Sequence, residues 1–286
     1  MKSFLKWSTD LLDQAGINSP RLEAEVLLAG ALQLCREEIH LRSERILSEE
    51  DKAILHDLVE RRVRREPVAH ILGHKEFWSL DFKITPDVLI PRPETEILIE
   101  TLFSLNNETS KDQSLTLLDI GTGSGVIAVV VALAISNCQV TATDCSPEAL
   151  VVARANAKIH GVSNRINFVQ CDTFTGLPET TYDFIVSNPP YIETARLNNL
   201  MSDVRDFEPW CALDGGMDGF DFYRRIVPGA LGYLKQGGRL VLEIGDTQAK
   251  TVNRLLCFED KYEAIKVKQD FGGYDRVVSA RKRTNG

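Results

Sequence analysis

The first third of the chain carries apolar residues at helical spacing. Ser19 and Pro20 supply a helix cap and a first-turn proline for one segment, and Ser48 opens another as a capping box with Asp51 in the place of glutamate. The segments with an apolar stripe are 3–15, 22–34 and the stretch that begins at Ser48. The pattern predicts a small bundle of three or four helices.

The apolar pattern changes to a strand pattern near residue 76. Residues 77–84 are aromatic and β-branched with a turn near Ser79, which predicts a hairpin. Several prolines then interrupt the chain before a helix that begins near Glu94. We therefore predict three parts, which are an N-terminal helical domain at residues 1–75, a hairpin linker at 76–93 and a larger domain at 94–286.

Strands and helices alternate along the larger domain. The predicted strands are 115–120, 139–143, 166–170, 182–187, 238–244, 262–268 and 276–280. The main helices predicted between them are 126–136, 147–160, 220–234 and 247–258. This alternation indicates an α/β fold with a seven-stranded, doubly wound, Rossmann-like sheet. Because only a short Gly272-Gly273 connection joins the last two strands, we expect them to form an antiparallel hairpin at one edge.

Composition and charge exclude several classes of protein. The 286 residues are 43% hydrophobic and 26% charged, which is typical of a globular protein with a sizeable core. The longest apolar run is about half of the roughly 20 residues that a membrane span needs, and the six cysteines form no C-x-x-C pair. The net charge of −8 opposes the basic field that nucleic-acid binding uses. We expect a soluble, cytoplasmic monomer without direct nucleic-acid or membrane binding.

Two other clusters have simpler explanations than a binding site. The densest basic cluster, at residues 61–65, is flanked by glutamates, which favours a solvated helix face. His70 and His74 are four residues apart, but Gly73 interrupts the helix between them and no carboxylate stands at ligand spacing. We therefore expect no metal site.

A glycine-rich turn follows the first strand of the predicted sheet. Glycines at such a turn let the backbone approach a ligand closely and expose the N–H groups of the next helix. The G-x-G-x-G spacing differs from that of a dinucleotide site, and no P-loop lysine follows, which disfavours a pyrophosphate cofactor. The turn therefore indicates another nucleotide-bearing ligand. Its residues are Gly121, Thr122, Gly123, Ser124 and Gly125.

Two acidic residues follow the next two strands. Asp144 can accept hydrogen bonds from both ribose hydroxyls, and Asp172 can accept one from an adenine amine. Each residue also has a plain interpretation as a helix cap or loop residue. Together with the glycine turn, the two carboxylates favour an adenosine without phosphates, and hence S-adenosylmethionine.

The tetrapeptide Asn188-Pro189-Pro190-Tyr191 follows the fourth strand, at the edge where open α/β sheets bind ligands. A planar amide or aryl-amine nitrogen is a poor methyl acceptor, because its lone pair is delocalised. The side-chain oxygen of Asn188 and the backbone oxygen of Pro189 can accept both of its N–H groups and orient it, and Tyr191 can stack on the flat acceptor. The alternative is a polar turn without chemistry.

These motifs resemble the class I S-adenosylmethionine-dependent methyltransferases that modify planar nitrogens. That group includes adenine-amine DNA methyltransferases and a glutamine-amide protein methyltransferase, and the tetrapeptide alone does not choose between them. Further segments, in the same order, are similar to the peptide chain release factor glutamine methyltransferase family (HemK-like). These segments are 65–73, 89–96, 212–219 and 275–278.

The resemblance implies methyl transfer to the glutamine amide in the Gly-Gly-Gln loop of class 1 peptide chain release factors, with S-adenosylhomocysteine as the second product. It also implies that the N-terminal helical domain helps to hold the factor. On matching positions, residues 121–125 correspond to the cofactor loop, Asp144 to the ribose-binding acid and residues 188–191 to the glutamine-binding and catalytic tetrapeptide. Asn188 would border both the cofactor and the acceptor.

One position departs from the family pattern. The family often places an aromatic residue against the adenine after Asp172, whereas this chain has Thr173 followed by Phe174. Either Phe174 turns into the site or other apolar groups pack the adenine, and we assign the contact to Asp172 and Thr173. Arg92 and Glu94 could cover the methionine end of the cofactor, or Glu94 could cap a helix.

Two rival functions remain to be weighed. An adenine-amine methyltransferase acting on nucleic acid would need a basic cleft and a base-flipping pocket, for which the sequence offers no positive charge or recognition domain. A non-catalytic adapter that binds release factors would not need the intact tetrapeptide. The sequence therefore favours the protein-glutamine methyltransferase.

Overall fold

The computed structural model describes residues 1–107 and 114–284, and these form twelve α-helices and nine β-strands. The helices are α1 Lys2–Gln14, α2 Pro20–Leu32, α3 Arg36–Leu41, α4 Glu49–Val63, α5 Val68–Leu72, α6 Thr95–Asn106, α7 Val126–Ala134, α8 Pro147–Ile159, α9 Thr194–Leu197, α10 Ser202–Arg205, α11 Asp221–Tyr233 and α12 Ala249–Phe258. The strands are β1 His74–Phe77, β2 Leu80–Lys83, β3 Leu115–Ile120, β4 Cys138–Asp144, β5 Ile166–Gln170, β6 Tyr182–Ser187, β7 Leu234–Glu243, β8 Tyr262–Gln269 and β9 Asp275–Lys282.

The first of two compact units contains residues 1–74 together with 201–207. Helices α1, α2 and α4 pack around one apolar core, in which Leu12, Leu27 and Leu55 are fully buried. The start of α4 has the predicted capping box, because the Ser48 hydroxyl accepts the Asp51 N–H at 3.0 Å and the Asp51 carboxylate accepts the Ser48 N–H at 3.2 Å. The predicted helical bundle is confirmed.

The solvated face predicted for the basic cluster is wrong for Arg62. This side chain at the end of α4 is buried, and its guanidinium donates to the Glu23 carboxylate and, at 2.6 Å, to that of Asp203. A buried guanidinium is tolerated only when it is paired in this way. Asp203 is 141 residues away in the chain, so no local pattern indicates the pair.

A two-stranded hairpin of β1 and β2 precedes the second unit's main sheet. Its turn residues, Trp78 and Ser79, have φ values of 55° and 56°, the left-handed conformation of the tight turns that match strand twist. The Trp78 N–H donates to a carboxylate oxygen of Glu96 at 3.0 Å, and its ring meets Phe103 edge-on. The predicted hairpin and its turn near Ser79 are confirmed.

The main sheet has seven strands in the order β5-β4-β3-β6-β7-β9-β8. Strands β5, β4, β3, β6 and β7 are parallel, and β9 runs antiparallel to both of its neighbours, β7 and β8. The predicted doubly wound sheet with an antiparallel hairpin at one edge is confirmed. Strand order reverses between β3 and β6, which makes their shared carboxyl end the point where such sheets bind ligands.

The two faces of β7 meet different helices. Leu240 and Leu242 belong to the apolar core cluster that also contains Ile226 of α11 and Val252 of α12. Side chains alternate along a strand, so the neighbouring residue Glu243 points to the opposite face. Helix α6 packs against β7 and β9, and it contacts the Glu243 side chain through Thr95.

Within residues 1–107 and 114–284, no helix combines the length and the apolar character that crossing a membrane requires.

Candidate active site

A cleft opens at the carboxyl ends of β3 and β6. Ile120 of β3 pairs with Ser187 of β6, and the Ser187 hydroxyl donates to the Ile120 carbonyl at 2.8 Å. The glycine loop and the tetrapeptide therefore begin at adjacent positions of the sheet. The predicted site residues that line this cleft are Gly121, Thr122, Gly123, Ser124, Asp144, Asp172, Thr173, Asn188, Pro189 and Pro190.

The glycine loop needs glycine for two different reasons. Gly121 and Gly123 have φ values of 69° and 53°, and a Cβ atom at either residue would meet no atom of the described residues within 4 Å. Substitution of either glycine would therefore be unfavourable because of its backbone conformation and not because of a steric clash. Both glycines leave open space beside the cleft. Gly125 has a φ of 82°, but its Cβ atom would lie 3.0 Å from the Ala153 Cβ atom of α8. Gly125 does not line the cleft and instead lets α7 and α8 pack closely.

Asp119 is a buried carboxyl group behind this loop that the sequence analysis did not single out. Its Oδ2 accepts the Thr122 hydroxyl at 2.6 Å, whereas its Oδ1 has no hydrogen-bond partner among the described residues. Burial and, to a smaller extent, the nearby charge of Asp144 raise the pKa of Asp119 to about 7. The sequence contains a signal for this buried group, because Asp119 is the one carboxylate inside the apolar strand Leu117-Leu118-Asp119-Ile120.

Asp144 ends β4 and faces the glycine loop. Its Oδ2 accepts the Gly123 N–H at 2.9 Å, and its Oδ1 accepts the Ser146 N–H at 3.0 Å. Ser146 in turn caps α8 through a hydrogen bond from Ala149 N–H at 3.0 Å. Each carboxylate oxygen keeps a lone pair for a further donor. The carboxylate is thus fixed in direction and able to bind hydroxyl groups in the cleft.

Asp172 and Thr173 stand at the side of the cleft nearest α11. The Arg225 guanidinium forms an ion pair with Asp172 at 2.6 Å and donates to the Thr173 hydroxyl at 3.0 Å. Phe174 does not line the cleft, because its ring stacks on Tyr233 with the ring centres 4.9 Å apart. Phe174 therefore does not turn into the cleft, and other apolar groups line it, among them Cys171, Phe222 and Ile226. Packing of the adenine by such groups stays a prediction.

Within the tetrapeptide, Asn188 and Tyr191 have different surroundings. The Asn188 side-chain Nδ2 donates to the Thr95 hydroxyl at 3.1 Å, while the residue lines the cleft. Tyr191 does not line the cleft, and its ring packs against the apolar core cluster. Burial raises the pKa of Tyr191 to about 12, and its backbone oxygen accepts the Gln248 side-chain amide at 3.0 Å. Stacking of Tyr191 on an acceptor stays a prediction.

The segment at 212–219 supports the end of the tetrapeptide. Ile192 N–H donates to the Leu213 carbonyl at 3.0 Å, and Gly215 N–H donates to the Ile192 carbonyl at 2.8 Å. A Cβ atom on Gly215 would lie 2.7 Å from the Tyr191 Cα atom, so only glycine permits this approach. This contact explains why the glycine-rich segment accompanies the tetrapeptide in the sequence.

Arg92 lines the cleft beside Pro91. Its guanidinium donates at 2.6 Å to one oxygen of the buried Glu208 carboxylate, and the other oxygen accepts the Ile90 N–H at 3.1 Å. Glu94 occupies the cap position of α6 without a side-chain capping hydrogen bond. The segment before α6 is therefore held by Glu208 rather than by Glu94.

The described residues contain no group of three or more His, Cys, Asp or Glu side chains that could hold a metal ion. His70 is buried at the end of the N-terminal helices, and His74 begins β1.

Comparisons with known proteins agree with this architecture. Residues 3–73 match the family model described as the PrmC N-terminal domain, and residues 93–203 match that of the methyltransferase small domain. A release factor glutamine methyltransferase from Geobacter sulfurreducens is 42% identical over 284 residues, which cover 98% of this chain and 96% of the relative. One from Moorella thermoacetica is 43% identical over 272 residues, covering 95% of each chain.

A solved methyltransferase from Pyrococcus furiosus has a TM-score of 0.54 at 22% identity and covers 78% of this chain and 97% of that chain, which shows the fold alone. The sheet order with its antiparallel edge, and the glycine loop and tetrapeptide that meet in one cleft, define a class I methyltransferase. The relatives, matched over nearly their whole length, are more specific. The chain belongs to the release factor glutamine methyltransferase family.

Proposed function

We propose that this protein transfers a methyl group from S-adenosylmethionine to the side-chain amide nitrogen of the glutamine in the Gly-Gly-Gln motif of class 1 peptide chain release factors. One observation supports the proposal more strongly than the others do. The glycine loop and the Asn188-Pro189-Pro190 segment line the same cleft, so a methyl donor and a planar amide can meet there. Membership of a family whose relatives bear the name of this activity supports the choice of acceptor.

The residues of the cleft fit S-adenosylmethionine. The open space at Gly121 and Gly123 suits close approach of a ligand, and the fixed carboxylate of Asp144 suits ribose hydroxyls. The Asp119 carboxyl group lies behind the loop and accepts the hydroxyl of Thr122, which lines the cleft. Asp172 and Thr173 are our assignment for the adenine. When bound, the sulfonium supplies an electrophilic methyl group and departs as a neutral thioether.

The acceptor amide is held by two carbonyl oxygens. The Asn188 side-chain oxygen and the Pro189 backbone oxygen accept the two N–H groups of the glutamine amide, which turns the nitrogen lone pair toward the methyl group. The two prolines restrict the backbone and have no N–H to compete for these oxygens. No general base is required, since the methylated amide can release its proton to water.

The predicted division of the chain gives each part a role. The helical domain at residues 1–75 helps to hold the release factor, the hairpin at 76–93 links it to the catalytic part, and residues 94–286 carry out the transfer. The match of residues 3–73 to the PrmC N-terminal domain supports this assignment.

Methyl transfer from labelled S-adenosylmethionine to a purified class 1 release factor tests the proposal. We expect label in the tryptic peptide that contains the Gly-Gly-Gln motif and none in a factor whose motif reads Gly-Gly-Ala. Label in DNA adenine, with none in the factor, would overturn the proposal and favour the nucleic-acid alternative. The net charge of −8 opposes that alternative.

Replacement of Asn188 by alanine separates catalysis from cofactor binding. Because the alanine variant loses one of the two oxygens that orient the acceptor, we expect kcat to fall by about 100-fold or more. The dissociation constant for S-adenosylmethionine, measured by calorimetry, should change little. An unchanged kcat would remove Asn188 from its assigned role.

A further inference from the structure

The side-chain amide of Asn188 is useful to the proposed reaction in only one of its two orientations. With its oxygen toward the cleft it accepts an N–H from the glutamine amide, whereas with its NH₂ group there it would oppose another donor. Oxygen and nitrogen of an asparagine have nearly the same shape, so packing alone does not select between them. The selection has to come from a hydrogen-bond partner that is strictly a donor or strictly an acceptor.

The partner of Asn188 is the hydroxyl of Thr95, the first residue of α6. The Asn188 Nδ2 and the Thr95 Oγ1 are 3.1 Å apart, and only 3% of Thr95 is exposed. A hydroxyl has one hydrogen and two lone pairs, so it can act toward an amide as a donor or as an acceptor. What Thr95 does toward Asn188 depends on where its hydrogen is directed.

Glu243 supplies the acceptor for that hydrogen. Ser187 of β6 pairs with Leu242 of β7, and the two strands are parallel. Asn188 and Glu243 are therefore the residues that directly follow this pair. The Glu243 side chain points toward α6 and is 1% exposed, and the Thr95 hydroxyl lies near enough to its carboxyl group to lower the pKa of Glu243. Its Oε2 has no hydrogen-bond partner among the described residues. An ionised carboxylate can only accept, and it therefore fixes the direction of the Thr95 hydroxyl.

We propose that Thr95 and Glu243 are positioning residues that hold the Asn188 side-chain oxygen toward the acceptor amide. The carboxylate takes the Thr95 hydrogen, the Thr95 oxygen is left with lone pairs, and these accept only the NH₂ group of Asn188. The Asn188 oxygen then remains for the substrate. This inference rests on the proposed function, and it adds two residues that act through Asn188, of which Thr95 lines the cleft and Glu243 does not.

The ionisation of Glu243 falls in a useful range. Burial raises the pKa of Glu243 to about 7, against the lowering effect of the Thr95 hydrogen bond. A protonated Glu243 can donate to the Thr95 oxygen. The Thr95 hydrogen is then free to donate to Asn188, which allows the Asn188 side-chain amide to rotate so that its oxygen faces Thr95. We therefore expect kcat to fall as pH drops below about 7. The charged and titratable groups that face Glu243 are Arg92, Glu94, Tyr191, Tyr223 and Arg276.

The test compares Thr95→Val, Thr95→Ser and Thr101→Val. Valine keeps the shape of threonine but lacks the hydroxyl, so we expect T95V to lower kcat about 10- to 100-fold with KM and cofactor affinity nearly unchanged. Serine restores the hydroxyl and should recover most of kcat. Thr101 is the matched control, because it is buried in the same helix and, among the described residues, its hydroxyl bonds only to the Ile97 carbonyl at 2.7 Å. Equal kcat values for T95V and T101V would overturn the proposal.

Glu243→Gln tests the carboxylate itself. A glutamine can offer Thr95 either its oxygen or its NH₂ group and does not titrate, so we expect a smaller loss of kcat than in T95V and a flatter acidic side of the pH profile. An unaltered acidic side in E243Q would contradict the role of Glu243.

A readout without methyl transfer separates this inference from the proposed function. In protein labelled with nitrogen-15 asparagine, the Asn188 side-chain resonance is assigned by its absence in N188A. We expect that resonance to titrate near pH 7 in the wild type, and to shift and stop titrating in T95V but not in T101V. A wild type that methylates no release factor would defeat the proposed function alone, whereas an Asn188 resonance unaffected by T95V would defeat the positioning role.

Discussion

Asp119 is a carboxyl group held inside an apolar strand, and its cost to the folded state depends on pH. Burial raises its pKa from the ordinary 3.8 to about 7, so the folded protein binds this proton more tightly than the unfolded chain. The stability that this proton contributes is complete below about pH 4 and is lost as pH rises through about 7. The same sign holds for Glu243, whose pKa burial also raises to about 7.

Replacement of Asp119 by asparagine removes this titration while nearly preserving shape. We expect the free energy of unfolding of D119N, measured by urea denaturation, to improve relative to that of the wild type as pH rises from 5 to 8. The Thr122 hydroxyl still finds an oxygen acceptor in asparagine, so the comparison isolates the charge. Parallel stability curves for the two proteins would show that Asp119 does not titrate in this range.

Among the secondary-structure elements, the strands with the most accurate predicted bounds are those whose sequence pattern has clear limits. Strands β3, β5 and β6 begin and end at the predicted residues, because each is a short apolar run bounded by polar or turn residues. Helices α9 and α10 were not predicted, since four residues show no helical period. The glycine loop and tetrapeptide could be placed from their positions after strands. The Thr95, Glu208 and Glu243 contacts could not, because each depends on partners distant in sequence.

The Arg62 pair shows how such a distant contact supports an element. The guanidinium is 5% exposed and joins α4 to Glu23 of α2 and to Asp203 of α10. Replacement of Arg62 by methionine leaves two carboxylates beside a buried apolar group, and we expect a loss of about 3 kcal/mol in the free energy of unfolding. Arg64→Met is the matched control, because Arg64 is exposed at the end of the same helix, and its effect should stay within about 0.5 kcal/mol. Similar losses in both variants would argue against the buried pair.

At the scale of the whole molecule, the chain divides into two compact units. Residues 201–207 pack with residues 1–74, although they lie within the range predicted for the larger domain, and no local signal in the sequence indicates this. The apolar patterns indicate which helices and strands each unit contains. Contacts such as that of Arg62 with Asp203 decide which segments pack together. The residues that line the cleft all belong to the second unit.

Binding of S-adenosylmethionine should therefore stabilise the fold through the second unit. A ligand at about 100 times its dissociation constant stabilises the folded state by about 2.7 kcal/mol, which a thermal melt detects as a rise in Tm. We expect Asp144→Ala to lose most of this rise, because the variant lacks the carboxylate that accepts the Gly123 N–H of the glycine loop and that we assign to the ribose. Asn188→Ala should keep it, since the proposed function assigns Asn188 mainly to the acceptor. An equal rise in D144A and the wild type would place the cofactor away from Asp144, and a rise abolished in N188A would mean that the tetrapeptide holds the cofactor rather than the glutamine.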